Sequence, residues 1–240
     1  MKIKNKVALV TGAAKRIGHS VAVELASRGA RVAVHYRSSK VDGERTLAAI
    51  REAGSDGVLL QAELTSVSDI QRMFGEFDSH FGSLDILVNN ASAFSAADPD
   101  HTTELIWNEQ MDANARAPFF VAQQAALRMK EGKIVNLADV AGEVVWPSYF
   151  AYSVSKAALI AVNRGLAKAL APHIQVNAIA PGPILFPENY TEEQKQAAVD
   201  RTLLKRAGSP QDIVNAVMFL LENDYITGEL IHVDGGRHIV

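Results

Sequence analysis

The feature that most constrains this chain is a regular alternation. Short β-branched or aliphatic runs recur at 6–10, 31–36, 57–61, 85–88, 133–137, 175–179 and 230–233, and amphipathic stretches of helical length lie between them. Runs that are apolar nearly throughout suit strands buried on both faces of a parallel sheet, and right-handed crossovers then wind the helices around that sheet. The pattern predicts the α/β class: a doubly wound sheet of about seven parallel strands with helices on both faces. A chain of 240 residues fits one such domain, and no internal repeat, low-complexity tract or linker divides it.

Composition removes several function classes. A net charge of -3, with 48% hydrophobic and 21% charged residues, gives no reason to expect nucleic acid or an anionic membrane surface as partner. There is no cysteine, and the seven histidines show no ligand-like spacing, so no structural metal is expected. No apolar stretch approaches the roughly 18 residues that span a bilayer. The opening MKIKNKVALV runs from a basic stretch straight into a strand-like segment, without the apolar run of a secretory signal, and the cytoplasm is the expected compartment.

Open parallel sheets bind ligands outside the carboxyl ends of their strands, where loops diverge. The unusual residues of this chain fall there: Thr11 and Gly12, 35–38, Glu63, 89–94, Asp139 and 181–185. The first turn, TGAAKRIG at 11–18, combines small residues with a helix beginning near Ile17, so that backbone N–H groups at Gly12, Lys15, Arg16 and Ile17 can approach a pyrophosphate. This makes the fold Rossmann-type. After the second run, His35, Tyr36, Arg37 and Ser38 include no acid to hold a ribose 2′-hydroxyl, whereas Arg37 and Ser38, joined by Arg16 or Lys15, can meet a 2′-phosphate. NADPH is expected over NADH. The stretch 182–200, proline-rich and then polar and helical, is the candidate lid over the substrate.

TGAAKRIG, NNAS at 89–92, Asn114 and YSVSK at 152–156 together resemble the short-chain dehydrogenases/reductases, in order and across nearly the whole chain. Tyr152 and Lys156 lie four apart, on one face of a helix. A phenol titrates near 10, and an adjacent ammonium lowers that value by stabilising phenolate, so the pair can act as one unit. The resemblance implies Tyr152 as proton donor, Lys156 as its electrostatic partner and a ligand of the nicotinamide ribose, and Asn114 in a water-linked proton relay. It further implies cofactor contacts from Glu63, Leu64, Asn89, Ala91, Ser92, Pro181, Gly182 and Ile184.

Two departures from the family pattern narrow the substrate. Arg16 stands where most members have glycine, and Asp139 stands where most have the serine that binds a substrate carbonyl. An ionised carboxylate only accepts hydrogen bonds, so Asp139 suits N–H donors such as the amino-pyrimidine edge of a pterin, or acts as an acid if kept protonated. With HYRS, NNASAF and the ending DGGRH, the chain resembles the pteridine reductases and the related dihydromonapterin and dihydrofolate reductases. That resemblance implies that Phe94 stacks on a pterin, that Ser92 and Arg16 hydrogen-bond the ring or a cofactor phosphate, and that Tyr149 lines the same pocket. Trp107 and Trp146 are expected to pack rather than bind. Long helices at 103–130 and 148–171 are expected, and the resemblance implies a homotetramer. Rival readings remain open: a reductase of 3-oxoacyl thioesters, sugars, steroids or quinones, or an NADPH sensor without turnover, which would not need Tyr152, Lys156 and Asn114.

Overall fold

The computed structural model describes residues 1–240. Seven strands, β1 (Val7–Val10), β2 (Arg31–Tyr36), β3 (Gly57–Gln61), β4 (Ile86–Asn89), β5 (Gly132–Leu137), β6 (Ile174–Pro181) and β7 (Leu230–Val233), pair in parallel throughout in the order β3-β2-β1-β4-β5-β6-β7. The order reverses between β1 and β4, and that reversal opens a crevice at their carboxyl ends.

Each strand feeds two cores, as the near-continuous apolar runs require. Along β1, Ala8 and Val10 point into a layer shared with α1 (Arg16–Ser27), Ile50 of α2 (Lys40–Glu52) and α8 (Pro210–Glu222). Val7 and Leu9 point the other way, against α3 (Val67–His80), α5 (Ala117–Ala126) and α6 (Phe150–Leu170). The sheet is thus covered on both faces. No helix is long and apolar enough to cross a membrane.

Two helical expectations change in detail. The stretch 103–130 is not one α-helix: α4 (Glu104–Met111) passes through a π turn at Asp112–Arg116 before α5 ends at Ala126. A π turn accommodates one extra residue, which alters the facing of Asn114 without breaking the rod. The stretch 148–171 contracts to α6, and the 182–200 segment is an irregular loop followed by α7 (Glu192–Asp200), whose start is closed by a Thr191–Gln194 capping box.

Candidate active site

At the carboxyl edge of the sheet lies a cleft of about 1750 Å³, larger than the roughly 300–1,000 Å³ of a single-ligand pocket and therefore spacious enough for a dinucleotide and a substrate together. At its cofactor end Gly12 has φ +60, and a Cβ there would meet the Cα of Ala91 at 2.9 Å. Gly18 is as tightly enclosed, since a Cβ would lie 2.5 Å from both the Asn90 amide and the Gly12 carbonyl. The Asn90 amide donates to the carbonyls of Thr11 and Gly12, and the Thr11 hydroxyl accepts the N–H groups of Asn90 and Ala91. These bonds join the ends of β1 and β4 into one rigid rim.

The start of α1 fits an anion. Lys15 makes no side-chain cap and no acid occupies the first turn, so the leading N–H groups and the positive end of the helix dipole are unopposed. Arg16 opens this helix with φ 57, a left-handed conformation disfavoured for a residue that carries a Cβ, and its Nη2 reaches across the cleft to the Leu185 carbonyl at 2.8 Å. Arg37 is exposed and sits 3.9 Å from the Glu63 carboxylate, whose other oxygen accepts the Thr65 N–H and hydroxyl. Lys15, Ile17, Tyr36, Ser38, Leu64, Ala91, Ser92, Pro181, Gly182 and Ile184 all line the cleft.

Two expected cofactor residues behave differently. His35 borders the cleft but is 2% exposed, and both ring nitrogens are engaged: Nδ1 accepts the Gly12 N–H at 3.0 Å and Nε2 meets the Ala62 carbonyl at 3.1 Å. The proton must therefore sit on Nε2. Burial pulls the imidazole down from 6.5 to about 4, so it stays neutral and braces the turn. Asn89 does not line the cleft, because its side chain turns into the core and donates to the Pro118 carbonyl and to Asn136. Its neighbour Asn90 takes the place at the rim.

At the other end, α6 carries Tyr152 and Lys156 to the end of β5. The Tyr152 hydroxyl donates to Asp139 Oδ2 at 2.8 Å, and Asp139 Oδ1 accepts the Ala141 N–H at 2.8 Å. Asp139 thus caps a short turn and holds the tyrosine at once. Lys156 Nζ donates to the Leu137 carbonyl at 2.9 Å and lies 5.7 Å from the centre of the Tyr152 ring. Burial raises the Asp139 carboxyl, and burial with the Asp139 charge raises the Tyr152 phenol well above its ordinary value. This corrects the expected lowering by Lys156: desolvation and the carboxylate outweigh an ammonium engaged with a carbonyl. Burial lowers Lys156 to about 8.

Asn114 is buried and does not reach the cleft. From the π turn its Oδ1 accepts the Ser92 hydroxyl and the Ala93 N–H, while Nδ2 donates to the Ala93 carbonyl and to Ser155. It fixes the loop after β4, on which Ser92 and Phe94 ride. Phe94 stacks on Tyr149, with ring centres 4.6 Å apart and planes at 14°, and stands edge-on to Tyr152 at 4.7 Å. The candidate lid lies over this wall: Tyr149 and Tyr190 share a hydroxyl–hydroxyl bond of 2.7 Å.

Trp107 stays off the cleft, as expected, but Trp146 lines it. Arg201, Lys205 and Arg237 also line it without having been singled out as contacts; for Arg237 the only sequence signal was the DGGRH ending.

With this geometry in place, comparison with known proteins fixes the class. A family model described as enoyl-(acyl carrier protein) reductase matches residues 12–238. The chain belongs to the short-chain dehydrogenase/reductase family and is an oxidoreductase of that family. Among its relatives, the 3-oxoacyl-[acyl-carrier-protein] reductase FabG of Staphylococcus aureus is 38% identical over 98% of each chain. Among solved structures, the FolM alternative dihydrofolate reductase 1 of Brucella canis, complexed with NADP, is 33% identical with a TM-score of 0.93 over 100% of this chain and 96% of that one. The angucycline C-6 ketoreductase LanV with bound NADP is 30% identical with a TM-score of 0.94, over 100% and 98%.

Proposed function

We propose that the protein is an NADPH-dependent reductase that transfers a hydride to a C=N bond of a pterin or dihydropterin, with Tyr152 as proton donor. The observation that carries this reading is the Asp139–Tyr152 hydrogen bond within an aromatic wall of Phe94, Tyr149 and Trp146. A carboxylate cannot donate to a ketone oxygen but pairs with adjacent N–H groups, and flat aromatic walls favour a planar ring. The likeness to the dihydrofolate reductase of Brucella canis supports the same reading.

NADPH, when bound, supplies the hydride; Gly12, the open start of α1, Arg16 and Arg37 would hold its phosphates, and Lys156 its nicotinamide ribose. Burial and Asp139 keep the Tyr152 phenol protonated at neutral pH, which suits a donor. Substrate N–H groups that occupy Asp139 release the Tyr152 O–H toward the ring nitrogen that gains the proton. Lys156, an ammonium at neutral pH, stabilises the phenolate left behind. The Asn114 side chain is fully committed, so a relay at this position would run through its backbone carbonyl.

A carbonyl reductase acting on 3-oxoacyl thioesters is the second reading, favoured by the likeness to the staphylococcal enzyme. NADPH oxidation with dihydropterin and dihydrofolate, beside an acetoacetyl thioester and simple ketones, separates the two. Asp139→Ser should lower kcat/KM for the pterins by about 30-fold, the worth of a charged hydrogen bond. Turnover confined to thioesters or ketones would refute the pterin reading, and pterin reduction undiminished in Asp139→Ser would remove the main argument for it.

A further inference from the structure

The lid end of the cleft carries a surplus of hydrogen-bond donors. Arg237 is 8% exposed, its guanidinium carbon lies 4.7 Å from the centre of the Trp146 ring, and its one hydrogen bond runs from Nη1 to the Ala198 carbonyl at 3.2 Å. Arg201, the residue that ends α7, lines the same region, as does Lys205, whose Nζ donates only to the Asp200 carbonyl. None of the three joins an ion pair.

The neighbouring carboxylates have other partners. Asp234 accepts from the Gly236 and His238 backbones and pairs with the His238 ring. Asp139 holds Ala141 and Tyr152, and Asp200 accepts from Gln196. The Trp146 indole N–H is buried and has no partner at all. Burial and then the charge of Arg201 pull the Arg237 guanidinium below its ordinary value, as expected for two cations facing one another. A buried guanidinium is costly unless paired, and donors without acceptors call for an acceptor from outside.

We propose that Arg237 and Arg201 form a subsite for an anionic substituent of the substrate, a carboxylate or a phosphate. A guanidinium fork takes either group by paired, charge-assisted hydrogen bonds. The Trp146 ring lies 6.5 Å from that of Tyr152 at 29°, so the subsite is one indole away from the reacting end. This inference rests on the cleft being the active site of a reductase, but not on the acceptor being a pterin.

The test compares matched ligands on the NADP-loaded protein by quenching of tryptophan fluorescence: folate against 6-methylpterin, and acetoacetyl-coenzyme A against acetoacetyl-N-acetylcysteamine. In at least one pair the anionic member should bind about tenfold more tightly at low salt, with the gap narrowing as ionic strength rises from about 0.05 to about 0.5 M. Arg237→Gln and Arg201→Gln should each shrink the gap to about threefold or less, and Arg237→Lys should keep part of it. Because Arg201 is exposed, its variant tests the idea without disturbing the core. A gap no larger than about threefold in both wild-type pairs would overturn the subsite. So would variants that weaken both members alike, which would reduce Arg237 to a prop for Trp146. A gap in the thioester pair alone would keep the subsite and count against a folate-type acceptor; pterin turnover with no gap in either pair would keep the pterin reading and overturn the subsite.

Discussion

The two ends of the cleft are built in different ways. At the cofactor end the shape is made by main chain: a left-handed glycine, a second glycine pressed against Asn90, and an uncapped helix start, all within residues 11–18 and closed by the loop after β4. At the substrate end the shape is made by side chains brought from remote segments, with Phe94, Asp139, Trp146, Tyr190 and Arg237 converging from three loops and the chain end. The first end has little freedom to vary because backbone occupies the space. The second can be refitted one side chain at a time.

If the two ends are separable, the largest single effect belongs to the proton donor. Tyr152→Phe should lower kcat by about a thousandfold while NADPH affinity, read by fluorescence titration, stays within about twofold. A parallel loss of NADPH affinity would break the separation. The next largest effect falls on the cofactor end through His35. Its folded imidazole stays neutral to about pH 4, whereas the unfolded chain takes up that proton near 6.5, so the unfolded state binds more protons between those values. Stability supplied by neutral His35 is complete above 6.5 and is lost as pH falls toward 4, by about 3 kcal/mol. Urea unfolding across this window should show the loss, and His35→Gln should flatten it.

Gly18→Ala should cost about 2 kcal/mol of stability through overpacking and weaken NADPH about tenfold, measured by urea unfolding and by titration. An unchanged NADPH affinity would show that the rim yields more readily than its contacts indicate. Smallest is Arg37→Ala, which should cut the preference for NADPH over NADH by about fivefold, since the guanidinium is exposed and shared with Glu63. A much larger shift in the ratio of kcat/KM values would mean that the ion pair with Glu63 gives way entirely when the phosphate arrives.

The same contrast governs how much of the molecule is legible in its sequence. The seven strands were legible because each is apolar on both faces, and the cofactor turn because its residues are consecutive. Asp139, Tyr152 and Lys156 were legible through spacing along one segment. Asn89 was misplaced because side-chain direction at a strand end depends on what lies beneath it, here Asn136 and Pro118. The π turn left no mark, since α4 before it is largely exposed and offers no clean apolar stripe whose rotation would show. Arg237 and Trp146 lie 91 positions apart in sequence and meet only in the fold, so neither could announce the other.

Beneath the cleft, Asn89 donates to Asn136, Asn136 to Asn163, and Asn163 to the Glu229 carbonyl, a one-way file of buried amides from β4 across β5 and α6 to the edge of β7. Each amide is fixed by the next, so none can flip alone, and α6 cannot slide by a turn without losing the whole file. Asn163 lies three helical turns, about 16 Å, beyond Tyr152. The file therefore works as a vernier: the alignment of the catalytic tyrosine with Asp139 is set in the dry interior, out of reach of the substrate, the lid and the solvent.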